Sequence, residues 1–131
     1  MTAEEYLGQV KKIDAIIKNK LRDHANWVSV AEGLGGASVG ERVQTSRNLT
    51  QIPDAIGRYI DIEREIKKLK QERQAVIDTI EKLPTYEYEV IYMLYVQDVT
   101  LKEVAYHFGR SYEWAKAIKR KAIRHIQEVL E

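Results

Sequence analysis

Residues 100–126 read TLKEVAYHFGRSYEWAKAIKRKAIRHI. Thr100 and Glu103 have the spacing of a capping box, in which the hydroxyl accepts a backbone N–H and the acid reaches back. They open a helix of about 100–107. Gly109 ends it, because glycine takes φ > 0 at no steric cost. Ser111 is placed to cap the next helix, about 112–130, with Glu113 favourable in its first turn. Val104, Phe108, Ala115 and Ile118 supply a small core between the two helices, and Ala105 is small where they cross. This is helix-turn-helix spacing.

At 100° per residue, Ala115, Ile118, Ala122, Ile126 and Val129 share one face of the last helix, and Glu113, Lys116, Ala117, Arg120 and Arg124 share the opposite one. Tyr112 sits beside that second face at the N-terminal end. Residues 108–126 hold six bases and one acid, a net of +5, whereas 81–103 hold five acids and two bases, a net of −3. The whole chain is only +1, so its total charge hides a locally basic helix. A basic last helix is also a common solvated surface, since helix C-termini favour cations. The preceding Val104-Ala105 and Phe108-Gly109 tip the reading towards nucleic acid.

Upstream, Thr2 and Glu5 make another capping box. Ala3, Tyr6, Val10, Ile13 and Ile17 then recur by three and four, with the stripe continuing through Leu21, His24, Val28 and Ala31. A helix of about 3–32 is expected. Residues 33–51 hold four of the seven glycines and no helical period, and read as a loop. Gly33, Gly35, Gly36 and Gly40 follow a helix and precede no Gly-Lys-Ser/Thr, so a phosphate-binding loop is not expected; Arg42 and Arg47 could still touch a partner. Pro53 suits the first turn of the next helix. From Ala55 through Tyr59, Ile62, Ile66, Leu69, Arg73, Val76, Ile80 and Leu83 the spacing is strictly four-three, a coiled-coil pattern broken only at Arg73. Arg73 is expected to snorkel or to fix register. Leu83-Pro84-Thr85 stops that helix. Residues 85–97 follow as a shorter helix, with Tyr86 and Tyr95 expected in its core; Tyr88, Tyr92 and Tyr106 are left open. Trp114 is expected to pack on the core's flank.

The expected fold is therefore all-α: a long antiparallel helical hairpin, or coiled-coil arm, over 1–83, and a small three-helix helix-turn-helix unit over 84–131. The arm's stripes could instead pair between chains. With 131 residues and no cysteine, the chain excludes disulfides, thiolate metal sites and thiol catalysis, and suits a reducing cytoplasm. The N-terminus lacks a signal peptide's apolar run, and no stretch approaches the roughly 20 apolar residues that span a bilayer. His24, His107 and His125 have no paired ligand spacing, the many carboxylates look solvent-facing, and no nucleophile–base pair stands out. No enzyme, metal or cofactor is expected.

The stretch from Leu83-Pro84 through Tyr95-Val96-Gln97-Asp98-Val99-Thr100-Leu101-Lys102-Glu103-Val104-Ala105 to Phe108-Gly109-Arg110-Ser111-Tyr112-Glu113-Trp114 resembles region 4 of sigma-70-type factors. TAEEYLGQVKKID at the N-terminus and VGERVQTSRN after the glycines look like small phage and prophage proteins of Gram-positive bacteria, similar in layout to phage late-gene transcriptional regulators. The resemblance implies a cytoplasmic, sequence-specific regulator of transcription in a bacterial host, bound to double-stranded DNA. It puts base reading at Tyr112, Glu113, Lys116 and Ala117. Sigma factors usually carry Arg where this chain has Tyr112 and Gln where it has Ala117, so a standard −35 element is not the expected target. Nothing resembles the region that melts the −10 element. Arg110 and Ser111 are expected to anchor a phosphate, and Lys119, Arg120 and Arg124 to track the backbone. A homodimer is expected, since one small reading unit gives little specificity and the arm offers an interface. The alternative is a protein-interaction module that docks on RNA polymerase or a phage protein without reading a promoter.

Overall fold

The computed structural model describes residues 1–33 and 45–131. Among them the chain forms five α-helices and no strand: α1 (Ala3–Ala31), α2 (Thr45–Glu81), α3 (Thr85–Ile91), α4 (Leu101–Phe108) and α5 (Tyr112–Leu130), with a π-helical extension of α3 over Tyr92–Val96. The all-α expectation holds. So does the start of α1, where the Glu5 N–H donates to Thr2 Oγ1 (3.1 Å) and the Thr2 N–H to Glu5 Oε1 (3.0 Å).

Two expectations are corrected. Of the loop placed at 33–51, residues 34–44 lie outside the described residues, but from Thr45 the chain is already helical. Pro53 therefore sits inside α2 rather than in its first turn. Proline there withholds one i→i−4 hydrogen bond and crowds the carbonyl four residues back, a cost that α2 carries. The earlier turns escape a periodicity reading because Thr45–Gln51 carries no apolar stripe. Second, the helix expected over 85–97 widens at Tyr92. The Gln97 N–H donates to the Tyr92 carbonyl (3.1 Å), a five-residue step, and Asp98 then takes the left-handed conformation at φ 58°. The widening lets Met93 and Leu94 join one core cluster while Tyr95 and Val96 join another.

By packing, the chain forms two compact units, Met1–Asp14 with Gln71–Glu131, and Ala15–Lys70. In the first unit Ala3, Leu7 and Val10 of α1 and Val76 and Ile80 of α2 share one buried cluster with Ile91, Ala122 and Ile126. Three short helices hold too little apolar surface to close a core alone; each Leu, Ile or Val covered adds about 1.5–3 kcal/mol. Here α1 and α2 run antiparallel: the Tyr6 hydroxyl bonds Thr79 Oγ1 (2.9 Å), and Arg73 Nε donates to Asp14 Oδ1 (2.7 Å). Arg73, the break in the apolar seam, is thus a half-buried cross-helix ion pair that fixes register.

In the second unit the helices again run antiparallel. Lys20 pairs with Glu65, His24 Nε2 lies 2.8 Å from Glu63 Oε2, and the Arg58 guanidinium covers the Trp27 ring at 5.4 Å. Among the described residues only Ala55 and Ile66 are buried there, while Leu21, Ile56 and Ile60 are exposed.

Candidate nucleic-acid interface

The turn between α4 and α5 is built from its caps. The Glu103 N–H donates to Thr100 Oγ1 (3.2 Å), and the Thr100 hydroxyl donates to Glu103 Oε1 (3.0 Å). At the other end Gly109 adopts φ 63°, ψ 33°. Its N–H donates to the Tyr106 carbonyl (3.1 Å) and the Arg110 N–H to the Ala105 carbonyl (3.0 Å). This paired pattern satisfies the carbonyls left over at a helix end and needs a residue free to take φ > 0. Ser111 then caps α5, its Oγ accepting from the Trp114 N–H (3.0 Å). Val104, Ala105 and Ala115, with Val90, are buried between the helices, and Phe108, Trp114 and Ile118 pack against them.

Aromatic rings bracket this turn. Trp114 lies 5.4 Å from Phe108 and edge-on to Tyr86 at 5.7 Å, and the Arg110 guanidinium sits 5.5 Å over the Trp114 ring. Trp114 is therefore packed, as expected. Tyr86 was expected in the core and is instead 54% exposed. It caps Phe108 and Trp114 from outside, held by ring edges rather than by enclosure.

Along α5, Ala115, Ala122 and Ile126 are fully buried. Glu113, Lys116, Ala117, Arg120 and Arg124 are exposed on the opposite face, with Arg110, Ser111 and the part-exposed Tyr112 at the leading end. Lys119 lies half-buried on the flank. Val129 departs from the projected buried face, being exposed, while its neighbour Leu130 packs against the shared core. Among the described residues no ion pair engages Arg110, Lys116, Lys119, Arg120, Lys121 or Arg124. Arg110, Lys116, Arg120 and Arg124 thus stand exposed along α5 and at its N-terminus, where backbone N–H groups and the dipole also favour anions.

Two features of this surface were not read from sequence. Glu87 was counted among the solvent-facing acids, yet it is only 8% exposed and meets His125 Nδ1, tying α3 to α5. Its burial could have been found, since Glu87, Val90 and Leu94 fall on one helical face. The second is the first turn of α1, which docks on α5. The Ala3 N–H donates to Gln127 Oε1 (2.8 Å), and Leu7 is buried with Ala122 and Ile126. Glu4 then lines a shallow concavity together with Lys116, Lys119, Arg120 and Ile123. Burial, with the nearby Glu4 charge adding to it, raises the Tyr95 phenol above its ordinary value, and the Thr2 hydrogen bonds lower the Glu5 carboxyl. No local sequence pattern joins residue 4 to residue 120.

Two crossed helices, a left-handed glycine turn and an outward basic face define a helix-turn-helix unit. Residues 79–128 match the family Sigma-70, region 4. The match runs from the end of α2 through α5, less than half of the 131 residues, and leaves α1 outside it. No curated protein and no solved structure gives a significant match. No helix among the described residues is long and apolar enough to cross a membrane.

Proposed function

We propose that this chain is a phage-encoded, sequence-specific regulator of transcription that binds double-stranded DNA through α5, in the cytoplasm of a bacterial host. One observation carries the reading: Lys116, Arg120 and Arg124 stand exposed and, among the described residues, without ion pairs on the face of α5 opposite its buried Ala115, Ala122 and Ile126, directly after a helix-turn-helix turn. In such units that outward face enters the major groove. Tyr112, Glu113, Lys116 and Ala117 meet base edges; a Glu there accepts from cytosine N4. Arg110, Ser111, Lys119, Arg120 and Arg124 hold phosphates and set the register. The Ser111 hydroxyl already accepts the Trp114 N–H and keeps its own proton to donate. The protein acts as a homodimer, a reading supported by the exposed Leu21, Ile56 and Ile60 of the second unit.

Selection of bound fragments from phage and host DNA at near-physiological salt tests this. Enrichment of a shared site is expected, with paired half-sites for a dimer. Recovery of random fragments removes sequence specificity, and recovery of none removes DNA binding. A second reading keeps the fold but exchanges the partner for RNA polymerase or another protein. It is supported by an aromatic-lined concavity formed by Tyr88, Tyr92, Met93, His107 and Phe108. Polymerase capture without DNA affinity would favour it.

A further inference from the structure

The first turn of α1 belongs to the same surface as the cations of α5. It is held there at two points, the 2.8 Å hydrogen bond from the Ala3 N–H to Gln127 Oε1 and the burial of Ala3 and Leu7 beside Ala122 and Ile126. Its exposed acid, Glu4, forms no ion pair among the described residues, yet it lines one concavity with Lys116, Lys119 and Arg120. A carboxylate placed there does not neutralise a cation by direct contact. It adds a negative potential at the spot where Lys119 and Arg120 would receive a phosphate.

We propose that Glu4 is an electrostatic brake on duplex binding: docked beside α5, it repels the backbone phosphate drawn to Lys119 and Arg120 and lowers affinity for every DNA sequence alike. This rests on the DNA-binding reading and adds to it a determinant from α1, outside the segment matched to Sigma-70, region 4. The effect sets overall affinity and not selectivity, because the phosphate contacts it opposes are common to specific and non-specific binding. A like-charge pair roughly 6–8 Å apart in water is worth about two- to threefold in affinity.

The test compares the full chain with Glu4→Gln, Glu4→Lys and Glu72→Gln on a random-sequence duplex over a range of salt. Glu72 is an equally exposed acid next to Arg73, whose partner Asp14 lies ten residues along α1 from Glu4, about 15 Å at 1.5 Å per residue. That exceeds the Debye length of about 10 Å at 0.1 M salt. Glu4→Gln should bind about two- to threefold more tightly and Glu4→Lys more tightly still. Both gains should shrink as salt rises, and Glu72→Gln should match the unaltered chain. Circular dichroism should show all variants equally helical, since Glu4 makes none of the hydrogen bonds that hold α1 in place. Equal or weaker binding by Glu4→Gln, with the unaltered chain still binding, overturns the brake alone. An equal gain from Glu72→Gln also overturns it, because net charge would then suffice. Absence of duplex binding by every variant overturns the DNA reading and the brake together.

Discussion

The chain offers one substitution, glycine to alanine, at sites where the structure demands opposite outcomes. Gly109 sits at φ 63°, and a Cβ built there would meet nothing within 4 Å. Any cost of Gly109→Ala is therefore backbone strain alone. The left-handed region costs an L-residue about 1–2 kcal/mol. Gly8 and Gly57 lie inside α1 and α2 with ordinary φ, and a Cβ there also meets nothing within 4 Å. At those positions Ala removes backbone freedom from the unfolded chain and should stabilise by about 0.5–1 kcal/mol. Urea unfolding followed by circular dichroism reads all three. Gly109→Ala should lower the midpoint, Gly109→Asn should lower it less because Asn tolerates this conformation, and Gly8→Ala and Gly57→Ala should raise it. A Gly109→Ala protein as stable as the original would refute the account of the turn. So would a loss well above about 2 kcal/mol, which would mean that the site is sterically closed.

Other outcomes follow from the same packing. Leu7→Ala should cost about 2–5 kcal/mol, because Leu7 is fully buried among α2, α3 and α5 residues; a cost under about 1 kcal/mol in urea would deny α1 a place in this core. His125→Ala strands the Glu87 carboxylate and should cost about 1–3 kcal/mol, whereas Glu87→Gln keeps a polar partner for His125 and should cost less; the same unfolding assay ranks them. Glu113→Ala should change which fragments are enriched in the DNA selection while leaving affinity for random duplex nearly intact.

Much of this architecture is legible locally. Thr2, Thr100, Ser111 and Gly109 act within four residues of themselves, and the observed caps fall where the sequence puts them. The opposed faces of α5 follow from its 3.6-residue period, with Lys116, Arg120 and Arg124 outside and Ala115, Ala122 and Ile126 inside. What escapes is set by distance along the chain or by the absence of a pattern. Thr45–Gln51 is helical without an apolar stripe to announce it. The π-helical turn at Tyr92–Val96 answers to two cores at once, which one period cannot encode. Tyr86 lies outside because its partners Phe108 and Trp114 are themselves at the rim. The docking of Ala3 and Glu4 against α5 joins residues more than a hundred positions apart.

The central claim is that α5 grips duplex DNA with a definite set of cations, and its most direct measure is the salt dependence of binding. With about three to five phosphates neutralised per unit, log K for the full chain should fall against log salt with a slope of about −3 to −5. Arg120→Ala should weaken random and selected duplexes alike and make that slope shallower by about 1. An Arg120→Ala protein with unchanged affinity and unchanged slope would contradict the account.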